Sequence, residues 1–151
     1  MDTEQALHIA ASLCRRFEGC VLHPYLDCVG VPTIGYGSTR YEDGTAVTLS
    51  DPPITKQRAE DLLISDLKTN RLRQVVGLCP GADSPQRLAA LIDFAYNLGT
   101  GALRASTLRR KVNAGDWDAV PAEFLKWNRA GGKVQRGLTL RRQAEATVCT
   151  S

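Results

Sequence analysis

The sequence predicts a mostly α-helical α+β fold with a small antiparallel sheet in its N-terminal part. Apolar residues recur at helical spacing over residues 6–17 and again over residues 59–76. Short segments separated by turn residues fill residues 20–49, which is typical of strands. Residues 88–98 are apolar on nearly every face, and a helix of that kind is buried. These observations indicate one compact unit built on a helical core.

The first helix is predicted to begin after Asp2 and to end at Glu18. Asp2 and Gln5 have the spacing of a capping box, and the apolar stripe ends at Phe17. Glu18 is one position beyond that stripe, and Gly19 is a typical helix stop. The sequence therefore places a carboxyl group at the C-terminal end of a helix.

Residues 20–49 are predicted to form a three-stranded antiparallel sheet that carries Asp27 and Thr33. Residues 41–44 have the composition of a hairpin turn, and residues 46–49 would form the returning strand. Glycines alternate with large apolar residues just after Thr33, a pattern typical of a strand that another backbone or a ligand approaches closely.

Capping residues predict two helices in the middle of the chain. Thr55 follows a pair of prolines and caps a long helix that ends near Gly77. Ser84, followed by Pro85, begins the buried helix that ends near Leu98.

Three more helices are predicted in the last third of the chain. Ser106 caps a short helix, and Asp116 is expected to cap the next one over residues 117–127. Pro121 is awkward inside that helix because proline lacks a backbone N–H. A final helix is predicted over residues 138–148.

Glu18 and Asp27 have the character of a carboxyl pair that cleaves a glycosidic bond. Such a bond is usually broken between one protonated and one ionised carboxyl group. The helix C-terminus, and burial behind Phe17 and Tyr25, would favour the protonated form of Glu18. Asp27, on a wetter turn, would stay ionised, and Thr33 would orient a water near it. Each residue alone is far more typical of an ordinary solvated surface than of a catalytic site, so the interpretation depends on their combination.

The order Glu18, Asp27, Thr33 and the string over residues 31–37 resemble the catalytic region of the phage-type lysozymes, or endolysins, related to the T-even and lambdoid phage lysozymes. The resemblance extends from about residue 13 to about residue 145. It continues in segments of the second half of the chain: residues 93–99, 106–108, 111–116, 124–127 and 131–142. The combination of these segments is far more specific than any one of them.

The resemblance implies a two-lobed lysozyme-like fold in a single domain over residues 1–151. The N-terminal lobe would span about residues 13–54 and the connecting helix about residues 55–77. The C-terminal lobe would span about residues 78–151, packed with a helix over residues 3–18. The substrate cleft would lie between the lobes.

The activity implied by the resemblance is hydrolysis of the β-1,4 bond between N-acetylmuramic acid and N-acetylglucosamine in bacterial peptidoglycan, which lyses the host cell. Glu18 would be the general acid, Asp27 the base or electrostatic partner, and Thr33 the residue that positions water. The family resemblance further implies inversion at the anomeric carbon.

Three further residues are candidates for substrate binding. Asn97 resembles a polar position that faces the cleft in this family, and a helix-capping role is an equal alternative. Trp127 could line a sugar site through its aromatic face, or simply pack in the core. Arg141 or Arg142 is expected close to Glu18, where its charge would oppose the effects of burial and of the helix end.

Two alternatives to a lysozyme remain open. A lytic transglycosylase needs a catalytic Glu but no partner Asp, so Asp27 and Thr33 argue against it. A non-enzymatic wall-binding protein on a lysozyme scaffold would have no need for Glu18, Asp27 and Thr33 together.

Net charge is +3, and it is unevenly distributed. Residues 1–99 carry nine Lys and Arg against twelve Asp and Glu, whereas residues 100–151 carry ten against four. A basic half suits an anionic polymer such as peptidoglycan with its stem peptides or a nucleic acid, although a solvated basic face is the better explanation of the charge alone. No nucleic-acid motif appears, so we expect no nucleic-acid partner.

Composition excludes several other classes of protein. The chain is 43% hydrophobic and 23% charged, and no apolar run approaches the roughly 18 residues of a membrane span. No metal signature, phosphate loop or nucleophile elbow appears, so we expect no cofactor or metal. The N-terminus lacks the basic region of a secretory signal. We expect a monomer made in the host cytoplasm that reaches the periplasmic cell wall through a holin or another export route, unless an N-terminal anchor has been removed.

The number of cysteines is odd, and no Cys-x-x-Cys motif occurs; they are Cys14, Cys20, Cys28, Cys79 and Cys149. Cys14 is predicted to be a small core residue. A disulfide between Cys20 and Cys28 is left open, because a cytoplasmic phase would keep both reduced. Cys149 is expected to be exposed near the terminus, where oxidation could link two chains.

Overall fold

A computed structural model describes residues 1–151 and confirms the α+β class, with helices predominating over two small antiparallel sheets. The helices are α1 (Thr3–Phe17), α2 (Lys56–Asp66), α3 (Leu72–Leu78), α4 (Pro85–Leu98), α5 (Thr100–Ala105), α6 (Thr107–Asn113), α7 (Val120–Leu125) and α8 (Arg136–Cys149). The strands are β1 (Val21–Leu26), β2 (Pro32–Gly35), β3 (Arg129–Ala130) and β4 (Lys133–Val134). A π-helical turn, Leu67–Arg71, joins α2 to α3. None of the helices has the length and apolar character needed to cross a lipid bilayer.

Side chains cap four of the helices at the predicted residues. The Asp2 carboxylate accepts a hydrogen bond from the Gln5 amide at 3.0 Å. Thr55, Ser84 and Ser106 each accept one from the amide three positions later. A cap of this kind stabilises a helix by about 1 kcal/mol, so these helix starts are determined by local sequence.

The N-terminal sheet has two strands rather than the predicted three. Strands β1 and β2 are antiparallel, and Tyr25 lies opposite Thr33. Asp27 follows β1 immediately, in the turn that leads to β2, so only Thr33 of the two site residues lies on a strand.

Residues 46–49 form no third strand, because the backbone pairing that begins at Val47 with Thr39 stops at Thr48, whose amide is bound by a side chain. Ala46 makes only an isolated bridge with Arg40, across the predicted turn. The Thr48 amide and hydroxyl both donate to the Asp51 carboxylate, at 2.9 and 2.6 Å. Such local hydrogen bonds compete with the ladder of a sheet.

The core is organised around α4, as its apolar sequence predicts. Every residue from Leu88 to Ala95 is buried, and α4 packs against α1 on one side and α8 on another. Phe94 meets Phe124 and Trp127 edge to face, with ring centroids 5.9 and 5.4 Å apart. Full burial of side chains of this size is worth about 1.5–3 kcal/mol each, so α4 supplies much of the stability.

Helix α7 begins later than predicted. It starts at Val120, which places Pro121 in the first turn, where the missing N–H costs no helical hydrogen bond. Asp116 does not cap this helix; its carbonyl instead accepts from the Ala119 amide in a separate turn. The proline therefore sets the start of α7 rather than splitting a longer helix.

All five cysteines are free thiols in the structure. Cys14 is buried in the core, as predicted. The prediction of an exposed Cys149 is wrong, because this residue is buried at the C-terminal end of α8 within the same cluster as Cys14. Cys20 and Cys28 are exposed and unpaired.

Candidate active site

A cleft of about 590 Å³ brings together the three residues predicted to be catalytic, Glu18, Asp27 and Thr33. Its walls come from the end of α1, from β1 and β2, from the π-helical turn and from the end of α4. Asn70 and Arg71 of the π-helical turn also line it, at a position that the sequence did not single out. Extra-wide helical turns of this kind are frequently found at functional sites.

Glu18 terminates α1 and is only partly exposed. Its amide donates to the Cys14 carbonyl at 2.7 Å, and its own backbone is extended, so the side chain leaves the helix direction here. One carboxyl oxygen, Oε1, accepts a hydrogen bond from Arg141 Nη1 at 2.9 Å. The side chain is 29% exposed, so burial behind neighbouring rings is incomplete.

Arg141 lies behind Glu18 and not on the cleft wall. Its side chain is 4% exposed, and its Nε and Nη2 donate to the two carboxylate oxygens of Asp93 at 2.9 and 2.8 Å. The expected proximity to Glu18 is therefore found, but a direct contact with substrate is not supported. Ion pairing with Asp93 and Glu18 raises the pKa of the Arg141 guanidinium, which keeps its charge fixed.

Two fully buried acids, Asp93 and Glu145, lie next to this arginine on α4 and α8. Burial raises the pKa of Glu145 to about 10, and its hydrogen bond with Asp93 contributes to the rise. Burial alone would raise the pKa of Asp93 as well, but hydrogen bonds from Glu145 and Arg141 outweigh it and hold that pKa below its usual value. The two buried acids therefore differ, since burial favours the neutral form of Glu145 whereas Arg141 helps to favour the ionised form of Asp93.

Arg142 connects the buried acids to the cleft. It is fully buried, and its Nη2 donates to Glu145 Oε2 at 3.1 Å and to Asn97 Oδ1 at 2.7 Å. Its Nε lies 2.7 Å from Glu145 Oε1 in an ion-pair contact that lacks hydrogen-bond geometry. That contact favours a charged Glu145, but the burial of both groups opposes the charge more strongly.

Asn97 faces the cleft, and its alternative role as a helix cap is wrong. Helix α4 is closed by Gly99, whose amide donates to the Ala95 carbonyl at 2.8 Å. Because its amide oxygen is held by Arg142, Asn97 has a fixed orientation in the cleft wall.

Asp27 is held by backbone amides of its own turn. Its Oδ1 accepts hydrogen bonds from the amides of Val29 and Val31, each at 2.9 Å. Its other oxygen makes no hydrogen bond with the protein. Such an arrangement, an Asx-type turn, fixes the carboxylate while leaving one oxygen available to a ligand or a water.

Thr33 is almost fully buried on β2, and its hydroxyl donates to the Val31 carbonyl at 2.8 Å. Since the hydroxyl proton is committed, the oxygen can only accept from a further partner. Tyr25, opposite Thr33 in the sheet, has a raised pKa, caused first by burial and then by the negative charges of Glu18 and Asp27. The Tyr25 phenol is therefore close enough to both carboxylates to be affected by their charges.

The glycine pattern after Thr33 corresponds to a close approach, as predicted. Gly37 has φ +97°, and a Cβ added there would lie 3.1 Å from Tyr96 Oη. The Tyr96 hydroxyl donates to the Tyr36 carbonyl at 2.7 Å, so α4 and the end of the sheet region are tied together at the cleft.

Trp127 does not line the cleft. It packs edge to face on Phe94 at the side of the core, so the core-packing alternative describes it correctly and its candidacy as a cleft residue is not supported. The structure brings no three His, Cys, Asp or Glu side chains together in a way that would hold a metal ion.

Comparison with known proteins agrees with this geometry. The chain matches the phage lysozyme family over residues 15–145. It is 36% identical to the endolysin of Bacillus phage B103 over 137 residues, and this match covers 91% of the chain but only 51% of that protein. It is 35% identical to the SAR-endolysin of bacteriophage PS119 over 133 residues, which cover 87% of the chain and 75% of that protein.

Solved structures show the same fold. A variant of P22 lysozyme superposes with a TM-score of 0.83 at 30% identity, covering 94% of this chain and 95% of the other. The chain therefore belongs to the phage lysozyme family. It spans about half the length of the B103 endolysin.

Proposed function

We propose that this chain hydrolyses the β-1,4 bond between N-acetylmuramic acid and N-acetylglucosamine in bacterial peptidoglycan and thereby lyses the host cell. The observation that carries the proposal is the single cleft that contains Glu18, Asp27 and Thr33 in the order and spacing typical of the family. Two carboxyl groups of different surroundings on one cleft are what glycosidic cleavage requires.

In this proposal Glu18 donates a proton to the leaving oxygen of the sugar. A positive charge beside a general acid normally opposes protonation, and Arg141 is only 2.9 Å away. Asp93 takes two N–H groups of the same guanidinium and balances its charge. Protonation of Glu18 therefore leaves no unbalanced arginine charge in the interior.

Asp27 acts on the water that attacks the anomeric carbon, or stabilises the positive charge that develops there. The amides of Val29 and Val31 hold its Oδ1, so the free oxygen can accept a proton from water in a fixed direction. Thr33 accepts a hydrogen bond from the same water, because its own proton is given to a carbonyl. The family resemblance implies inversion at the anomeric carbon, in which a base-activated water attacks the face opposite the leaving group.

We also propose the two-lobed division of a single domain, with lobes over about residues 13–54 and 78–151 joined by a helix over 55–77. Two separate hydrophobic clusters support it. The smaller one contains Ile34, Val47 and Leu62, and the larger one surrounds α4. Asn97, on the cleft face of the second lobe, is the residue we expect to contact the sugar.

The names of the relatives, which are endolysins of phages, support a setting at the bacterial cell wall. We propose that the chain acts as a monomer on peptidoglycan in the periplasm after synthesis in the host cytoplasm, and that a holin or another export route delivers it. Size-exclusion chromatography with light scattering tests the monomer directly, and a dimeric mass would contradict it.

The test is turbidity clearing of purified peptidoglycan by the parent and by Glu18→Gln. This substitution keeps the shape of the side chain and its bond to Arg141 but removes the acidic proton. We expect clearing by the parent, loss of clearing in the variant and reducing N-acetylmuramic acid ends in the products. Anhydro-muramic ends would identify a lytic transglycosylase, and wall binding without clearing by the folded parent would identify a binding protein.

A further inference from the structure

A second cavity, of about 410 Å³, lies beside the cleft between α3 and α5. Gln74 lines both spaces, so the two are neighbours along one surface. Gly77 and Gly101 also line the second cavity, and a Cβ added to either would meet no atom within 4 Å. The space is therefore open to a ligand at both glycines.

The cleft and the second cavity differ in the charge of the residues that line them. The cleft is lined by three acids, Glu18, Asp27 and Asp66, against two arginines, Arg40 and Arg71. The second cavity contains no acid and two arginines, Arg73 and Arg104. Neither guanidinium makes an ion pair or a hydrogen bond in the structure, whereas those of Arg71 and Arg109 nearby donate hydrogen bonds.

The boundary between the spaces is fixed by a small hydrogen-bonded cluster. Arg71 Nη1 donates to Thr100 Oγ1 at 3.0 Å and to Gln74 Oε1 at 3.1 Å. The Thr100 hydroxyl in turn donates to Gln74 Oε1 at 2.7 Å. This cluster joins the start of α5 to α3, so it holds the side of the cavity in one geometry without using Arg73 or Arg104.

We propose that this cavity binds the carboxylate groups of the stem peptides that branch from the muramic acid residues of peptidoglycan. The inference rests on the proposed function for its substrate. A glycan strand that occupies the acidic cleft carries peptides out to one side, and the second cavity is the adjoining space with unpaired positive charge. Guanidinium groups pair with carboxylates through two parallel N–H donors, which suits Arg73 and Arg104.

The proposal also explains the uneven charge of the sequence. The excess of basic residues lies after residue 99, and α5 brings Arg104 of that half next to Arg73 of the other. An anionic side chain on an otherwise uncharged sugar backbone would be attracted more by this pair than by the cleft, where acids outnumber arginines.

Binding can be measured without catalysis by NMR on the whole ¹⁵N-labelled chain. The probe is the stem peptide L-Ala–γ-D-Glu–diaminopimelate–D-Ala, compared with the same peptide with its carboxylates amidated. We expect shifts of the Gly77 and Gly101 amides with the carboxylate form only. In Arg73→Gln/Arg104→Gln the dissociation constant should rise about 5- to 20-fold, as expected for two exposed ion pairs.

The matched control is Arg110→Gln/Arg136→Gln, which removes the same charge from two exposed residues that line neither cavity. It should bind the peptide as the parent does. No shift at Gly77 and Gly101, or equal shifts with the amidated peptide, would overturn the proposal even if the variant failed to fold, because both peptides are compared on the parent. Peptide binding by a chain that does not hydrolyse peptidoglycan would overturn the proposed function alone.

Kinetics supply the second readout. On peptidoglycan strands that carry peptides, the Arg73→Gln/Arg104→Gln variant should raise KM about 5- to 20-fold with kcat unchanged. On the same strands stripped of peptides by an amidase, its KM should equal that of the parent. An equal rise of KM on both substrates would show that the arginines attract the polymer in general, and it would contradict a stem-peptide site.

Discussion

Arg141 binds Asp93 through two hydrogen bonds, of 2.9 and 2.8 Å, while its remaining nitrogen binds Glu18 at 2.9 Å. One arginine thus joins a fully buried carboxylate to a partly exposed one at the cleft. The first pair neutralises the guanidinium, and the second orients the proposed acid. The proposed role of Glu18 therefore depends on Asp93, a buried residue that does not line the cleft.

Asp93→Asn should be strongly destabilising and should also lower activity. Removing one partner of a buried ion pair costs about 3–5 kcal/mol, because the other charge is left uncompensated. Arg141 would lose the partner that holds two of its three nitrogens, so it would no longer orient Glu18 and kcat should fall. Urea unfolding and kcat measure the two effects.

Asp83→Asn is the matched control for this substitution. Asp83 pairs with Arg87 on the surface, where its side chain is 63% exposed, so its loss should cost less than about 1 kcal/mol. Equal stability of Asp93→Asn and Asp83→Asn, or a kcat equal to that of the parent in both, would show that Asp93 does not balance Arg141.

Glu145→Gln should flatten the fall of stability with rising pH. In the unfolded chain Glu145 ionises near its ordinary pKa of 4.5, whereas burial raises the folded pKa to about 10. Between these values only the folded state holds the proton, so this group's contribution is complete below pH 4.5 and is lost as pH rises towards 10, by up to about 1.4 kcal/mol per pH unit. Urea unfolding at several pH values from 5 to 9 tests this, and parallel curves for parent and variant would contradict a protonated Glu145.

Asp27→Asn should abolish most activity without loss of structure. The amide oxygen can still accept from the Val29 and Val31 amides, but the side chain can no longer take a proton from water. A general base typically contributes 10²–10⁴-fold, so kcat should fall by about that factor with Tm nearly unchanged. Asp43→Asn is the control, since Asp43 accepts the Thr45 amide in a similar turn outside the cleft. A comparable loss of kcat in both variants would argue against a chemical role for Asp27.

Gly37→Ala should reduce activity more than Gly44→Ala does, although both glycines have positive φ, +97° and +87°. A side chain in that conformation costs roughly 1 kcal/mol at either position. Only at Gly37 would the new Cβ approach Tyr96 Oη, at 3.1 Å, and Glu18 Oε2, at 3.9 Å. Thermal unfolding and kcat measured on both variants separate the two effects, and equal kcat values would show that the close approach is unimportant.

Local rules predicted four helix starts well, and the three candidate catalytic residues lie on one cleft. The caps at Asp2, Thr55, Ser84 and Ser106 depend on hydrogen bonds between residues three positions apart. Such short-range bonds can be predicted from the residue types in the sequence. The missing third strand and the later start of α7 depend on competition between local interactions. At the missing third strand, the Asp51 carboxylate accepts hydrogen bonds from the amide and hydroxyl of Thr48. These local bonds take the place of hydrogen bonds to a neighbouring strand.

The buried polar network was not predicted, because its members come from distant parts of the chain. Asp93 and Arg141 are 48 positions apart. One signal was present: an acid at position 93 within an otherwise apolar helix must find a buried partner, and two adjacent arginines in the last helix were the available cations. Which of the two faces Glu18 depends on the packing of α8 against α4, which periodicity alone does not fix.

The most direct test of the central claim is digestion of peptidoglycan in heavy-oxygen water, followed by mass spectrometry of the muramic acid ends. Hydrolysis with Glu18 as acid and an attacking water predicts one heavy oxygen at the anomeric carbon of each new N-acetylmuramic acid end, and no such product from Glu18→Gln. Anhydro ends without the label, or labelled ends formed equally by Glu18→Gln, would contradict the account.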